Sequence, residues 1–185
     1  LQRHLACEGA VADAPFREDM PWAVGSDWSW ARPTPGTTPL NYAATMLDVI
    51  GDDVAAAMAK VLLDVGADPC RDDCLDKWFL PVHNAAANGG RETVAAILDA
   101  RPDLKNATTG EGQTPLFTAA QCERADDRLA VVKLLVDRGA DVNFAEPFAH
   151  DTALHVFARL GCAAEVGLLC QADAAAGAAA NSAGR

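Results

Sequence analysis

The chain has 185 residues, with 26 acidic against 15 basic side chains, a formal net charge of −11, and an apolar half in which aromatics make up only 6% of the whole. A charge balance of that sign repels phosphate backbones and anionic lipid, so nucleic acid is not an expected partner. No run of about 18 uninterrupted apolar residues is present, which excludes direct membrane insertion through a spanning helix.

Alanine dominates the apolar half, and small side chains favour closely approaching helices over a sandwich of β-branched strands. The length suits one compact domain or a stack of about four or five short repeats. Six cysteines, Cys7, Cys70, Cys74, Cys122, Cys162 and Cys170, are spread too widely for a small disulfide scaffold. An intracellular, reducing compartment, cytosol or organelle, is therefore expected. The sequence opens without Met and without a charged-then-apolar signal segment, so it is read as a fragment or a processed chain.

In chain order, Leu1 and Leu5 lead to Gly9-Ala10, the pattern of an apolar helix face closed by a glycine. A long segment carrying Trp22, Trp28 and Trp30 follows. Thr38-Pro39-Leu40-Asn41-Tyr42-Ala43-Ala44 predicts a helix start: the threonine hydroxyl caps free N–H groups, and proline in the first turn loses no hydrogen bond. The aliphatic pair Leu62-Leu63 and the terminator Gly66-Ala67-Asp68 predict the end of a second helix. The same two landmarks recur as Leu80-Pro81-Val82-His83-Asn84-Ala85-Ala86 with Ile97-Leu98 and Arg101-Pro102-Asp103, then as Thr114-Pro115-Leu116-Phe117-Thr118-Ala119-Ala120 with Leu134-Leu135 and Gly139-Ala140-Asp141. Thr152-Ala153-Leu154-His155-Val156-Phe157-Ala158 with Leu168-Leu169 and Gln171-Ala172-Asp173 completes the series. Each unit reads as helix, short turn, helix, loop. One such pair cannot bury its own apolar face, so neighbours must stack.

The T-P-L-x-x-A-A and L-L-x-x-G-A-D pattern resembles the ankyrin repeat, whose period is about 33 residues. Spacings of 42 residues from Pro39 to Pro81, 34 from Pro81 to Pro115 and 38 from Pro115 to Ala153 are uneven, and the excess falls at Thr45 to Asp53 and at Glu123 to Arg128, where extra or bulged helical turns are expected. The resemblance implies an all-α solenoid of stacked helix-turn-helix repeats with projecting loop or hairpin fingers. It divides the chain into a single ankyrin-repeat domain over 1–173 and an Ala-rich tail over 174–185. Within the domain, 1–13 is a partial repeat, 14–35 a Trp-rich inserted finger, 36–70, 71–105 and 106–143 are repeats, and 144–173 is the terminal repeat. The partial first repeat predicts that the native protein continues upstream. The tail is a short terminal helix or lacks fixed structure.

The resemblance further implies partner docking on the fingers and the concave face. The first finger takes 29 residues from Gly9 to Thr38 where an ordinary repeat needs about 12. All four tryptophans lie in fingers: Trp22, Trp28 and Trp30 in the first, Trp78 beside Phe79 in the second. Indoles supply large rigid contact area, so these aromatics are candidate anchors, with Asp72 and Asp73 as an acidic patch for a basic partner. The competing reading is that the Trp-rich segment folds back over the edge of the stack. Cys70 and Cys74 frame Arg71-Asp72-Asp73 as two of the three or four ligands that zinc needs, as a redox disulfide, or as ordinary thiols of an acidic finger. Cys122 and Cys162 are expected to be small buried packers, and in the resembling family the imidazoles at the positions of His83 and His155 tie neighbouring loops together.

No G-x-S-x-G elbow is present, and Gly110-Glu111-Gly112 lacks the lysine and the spacing of a phosphate loop. Asp52-Asp53 and Asp126-Asp127 read as solvated charge on exposed extensions. No catalytic residue, metal or cofactor is expected. The function so implied is a non-enzymatic protein–protein interaction module, a scaffold or accessory subunit of a larger assembly. The alternative is a regulatory or targeting domain of a larger enzyme, channel or effector.

Overall fold

The structure, a computed structural model, describes residue 13 and residues 37–71 and 78–183, with side chains through residue 173. Among these residues the architecture is all-α, with one isolated antiparallel bridge between Ala145 and Thr152. The first helical unit comprises α1 (Pro39–Thr45), α2 (Leu47–Ile50) and α3 (Asp52–Asp64). The second is α4 (Pro81–Ala87) and α5 (Arg91–Ala100), followed by a 3-10 turn over Pro102–Asn106. The third is α6 (Pro115–Thr118), extended by a 3-10 turn over Ala119–Gln121, with α7 (Ala125–Asp137). The fourth is α8 (Ala153–Arg159) and α9 (Ala163–Ala183), so the Ala-rich tail is helical through Ala183. None of these helices is long and apolar enough to cross a membrane.

Local chemistry sets the helix ends. Thr38 and Thr114 sit in extended backbone and accept from the amides of Asn41 and Phe117 at 3.2 and 3.3 Å, leaving Pro39 and Pro115 in the first turn. Gly66 and Gly139 follow the second helices at φ +92° and +74°, a region that favours glycine because it has no Cβ. Where the second unit has Arg101 instead, φ is −138° and the chain turns off through the 3-10 segment.

The short first helices stack in one layer, α1 on α4 on α6 on α8, and the longer second helices in another, α3 on α5 on α7 on α9. Ala43, Ala44, Ala85, Ala86 and Ala119 are fully buried where the layers meet, and their small size permits the close approach. Val94, Ile97, Leu98, Leu116, Val131, Leu135 and Phe157 fill one continuous core through the later units. Cys122 and Cys162 are buried thiols within the stack. The extra length between Thr45 and Asp53 forms the one-turn helix α2, as the spacing predicts.

Asp52 departs from its expectation as solvated charge. Its carboxylate accepts from the amides of Glu92 and Thr93 at 2.7 and 3.0 Å and from the Thr93 hydroxyl at 2.7 Å. Gly90 precedes α5 and has no side chain to cap with, so an aspartate of the preceding unit satisfies the orphan donors of that helix. Sequence adjacency to Asp53 concealed this role because the capped helix starts about forty residues later.

Candidate functional site

The fingers between units form one edge of the stack. His83 supports them from within. Its Nδ1 accepts from the Leu80 amide at 3.2 Å, and its Nε2 donates to the Ala107 carbonyl at 2.9 Å, so one buried ring ties its own finger to the next. Burial lowers its pKa to about 4, against the weaker opposing pull of the backbone hydrogen bonds. The neutral tautomer protonated on Nε2 satisfies both partners. Asn84 donates to Asn41 at 3.1 Å and Asn41 to the Arg71 carbonyl at 2.9 Å, a second buried polar chain running from first helix to finger base.

Adjacent aromatics in the second finger take opposite roles. Trp78 is 61% exposed and holds φ at +50°, a strained choice for a bulky residue. Phe79 turns inward: it is buried, and its ring centroid lies 5.9 Å from that of His83 in a tilted arrangement. Trp78 is thus a surface aromatic at a finger base and Phe79 part of the packing beneath it. Trp22, Trp28, Trp30, Asp72, Asp73 and Cys74 lie outside the described residues. Cys70 is exposed beside Arg101, and partial burial raises its thiol pKa more than the guanidinium lowers it. Among the described residues no three His, Cys, Asp or Glu side chains cluster as a metal site.

The fourth unit begins with a finger that sequence reasoning passed over. Glu146 is buried, and its carboxylate accepts from the amides of Phe148 at 2.7 Å, of Ala149, and of Asp151 at 3.4 Å. The Phe148 hydrogen bond is the chief reason its pKa lies below the usual carboxylate range. So braced, the loop projects Phe148 at 76% exposure. Between this finger and the one before it runs a groove of about 480 Å³ lined by Glu111, Gln113, Phe117, Phe148, Asp151 and Arg159, among others. Gln113 donates its Nε2 to Glu111 at 3.2 Å, and among the described residues its Oε1 is the one buried side-chain polar atom that lacks a hydrogen-bond partner. Asp151 pairs with Arg159 at 3.0 Å. The available signal was an aromatic after Glu146-Pro147 in the stretch that follows Gly-Ala-Asp, the same signature that singles out Trp78. Chemically the edge offers aromatic faces, carboxylates and an open carbonyl acceptor, a set suited to recognition.

On the opposite edge, Arg124 spans three units: it pairs with Asp48 and Asp127 and donates to the Asn88 carbonyl at 3.0 Å. That staple closes the far ends of the first helices and leaves the finger edge as the open side.

The ankyrin-repeat family, as three copies, matches residues 46–146. Among curated proteins the chain is 28% identical over 123 residues to the ANK repeat-containing protein nipk-1 of Caenorhabditis elegans, covering 62% of this chain and 20% of that protein. It is 36% identical over 80 residues to inversin of Gallus gallus, covering 43% of this chain and 7% of that protein. The chain therefore spans a fifth or less of these two relatives. Among solved structures it resembles a chain of the complex of the predatory endopeptidase Bd0816 from Bdellovibrio bacteriovorus with immunity protein Bd3460, at a TM-score of 0.58 and 26% identity, covering 74% of this chain and 64% of that one. Ankyrin repeats are protein-binding modules, typically non-catalytic. With the paired helices, the left-handed terminators, the projecting fingers and a family match over more than half of its length, this chain belongs to the ankyrin-repeat family.

Proposed function

We propose that this ankyrin stack is a non-enzymatic interaction module, a scaffold or accessory subunit, that holds a partner protein along its finger edge. The observation that supports it most directly is the pair of large aromatics set out on fingers, Trp78 at 61% and Phe148 at 76% exposure, on a stack whose helical core is otherwise closed through its later units. Folding that leaves such side chains in water gains nothing from their apolar area, whereas a partner that covers them does. The endopeptidase–immunity protein complex that contains the similar chain is consistent with this class of role. Trp22, Trp28 and Trp30 of the inserted finger and Asp72 and Asp73 of the second belong to the same proposed contact surface.

A second reading, the same module serving as the regulatory or targeting part of a larger enzyme, channel or effector, draws support from the far greater length of the curated relatives. Affinity capture with the native protein, followed by mass spectrometry and alanine variants at Trp28, Trp30, Trp78 and Phe148, tests both. A partner retained stoichiometrically by the wild type and lost from stably folded variants supports the subunit reading. Recovery of the repeats within one long polypeptide supports the second. Retention unchanged by all four substitutions overturns the finger edge as the contact surface.

A further inference from the structure

The N-terminal side of the described stack ends on an apolar stripe. Val54, Met58 and Val61 on α3 and Val65 at its C-cap follow one another at helical spacing and are 51%, 42%, 62% and 45% exposed. With Pro39, Ala57 and Leu62 they line a shallow apolar depression. Aligned on the repeat pattern, the place of Met58 is held by Thr93 in α5, Val131 in α7 and Glu165 in α9, which are 0%, 0% and 3% exposed. Two of these meet the preceding unit through visible contacts: Thr93 binds Asp52, and Glu165 pairs with Arg128 of α7 at 2.7 Å. The place of Val61 is held by the buried Ala96 and Leu134. On every later second helix, then, this face is closed by the second helix before it.

A separate contact indicates what closes it here. The Asp141 amide, in Gly139-Ala140-Asp141, donates to Asn106 Oδ1 at 2.8 Å, and Asn106 ends the turn that leaves the preceding second helix. The Asp68 amide, at the same place in Gly66-Ala67-Asp68, donates to Asp13 Oδ1 at 2.9 Å. Asp13 thus occupies, on the first described unit, the station that Asn106 occupies on the third. The chain reaching Asn106 comes from α5; the chain reaching Asp13 comes from residues 1–12, whose pattern is Leu1, Leu5 and the terminator Gly9-Ala10.

We propose that residues 1–12 cover the α3 stripe as the second helix of a preceding half-repeat, with Leu1 and Leu5 as its apolar contacts. Helical rise over residues 1–9 is about 12 Å, enough to span the roughly 10 Å from Met58 to Val65. The stripe is then an internal seam of the domain and no surface for a partner. Because Asp13 is held at Asp68 and Thr38 caps α1, the Trp-bearing insertion starts and finishes on one unit, which fixes the base from which Trp22, Trp28 and Trp30 depart.

Hydrogen exchange read by mass spectrometry on the full chain tests the docking, with Leu5→Glu and Val61→Glu as single variants and together. Neither position supports the described core, so both variants fold. The expected result is that each single variant speeds exchange across residues 52–64 by about tenfold, leaves residues 125–137 unchanged, and adds nothing further in combination. Equal exchange of residues 52–64 in wild type and both variants overturns the proposal. So does protection that fades on dilution of a dimeric species, because a second copy is then the occupant.

Discussion

Replacing His83 with glutamine should abolish one proton's worth of acid sensitivity, and the size of that loss follows from the geometry. The ring is fully buried, with Nδ1 accepting from Leu80 and Nε2 donating to Ala107. Acid places a proton on Nδ1, where it faces the Leu80 N–H, so protonation breaks one hydrogen bond and leaves a charge in the core. The folded-state pKa of about 4 lies below the ordinary 6.5. The unfolded chain therefore binds this proton first, and the stabilisation is complete above about pH 6.5 and disappears as pH falls towards 4. Each tenfold weakening of proton affinity on folding is equivalent to about 1.4 kcal/mol, so the full difference is about 3 kcal/mol. The assay is urea unfolding followed by far-UV circular dichroism, for wild type and His83→Gln, in steps from about pH 7 to about pH 4. Glutamine keeps a donor and an acceptor but does not titrate, and the many carboxylates titrate in both proteins, so their effect largely cancels in the difference. The stability advantage of wild type over variant should shrink by about 3 kcal/mol across that window. A difference that stays constant with pH would refute the assignment of a buried, neutral, two-partner imidazole.

Three further outcomes can be measured alongside it. Asp52→Ala should lower stability by about 1–2 kcal/mol in urea unfolding, because it strips the first turn of α5 of its acceptor; a neutral change would mean water substitutes fully. Glu165→Ala should cost about 3 kcal/mol or more, since it leaves the Arg128 guanidinium unpaired between α7 and α9, while Arg128→Met combined with Glu165→Leu should recover most of the loss. Recovery failing in the double variant would show that the ion pair itself, and not the orphaned charge, carries the stability. Trp78→Ala and Phe148→Ala should each stay within about 0.5 kcal/mol of wild type in unfolding. Each should weaken calorimetric affinity for the captured partner by about 2 kcal/mol.

Repeat grammar is local, and it could be read directly. Thr38-Pro39 and Thr114-Pro115 specify helix starts through hydroxyl caps within three residues, and Gly66 and Gly139 specify helix ends through a backbone conformation that needs no neighbour. Uneven spacing between prolines likewise located the added turn α2. Where a motif position lost its residue, as at Arg101, the end of the helix was still near but its form, a 3-10 turn, was not foreseeable.

Contacts between units were the part that sequence left open. Asp52 looked like half of a solvated acidic pair because its partners, Glu92 and Thr93, are about forty residues away. Trp78 and Phe79 are chemically alike and adjacent, yet backbone conformation sends one into water and the other onto His83. The groove beside Phe148 depends on Glu146 folding its carboxylate under the finger and on Gln113 being held by Glu111, neither of which any spacing announces. By itself, then, the sequence determined that the chain is a stack of ankyrin helix pairs, because caps, terminators and small-residue faces act over a few residues. Only the tertiary structure decided which polar side chains bridge units and which aromatics remain exposed, because those outcomes depend on surfaces brought together from different repeats.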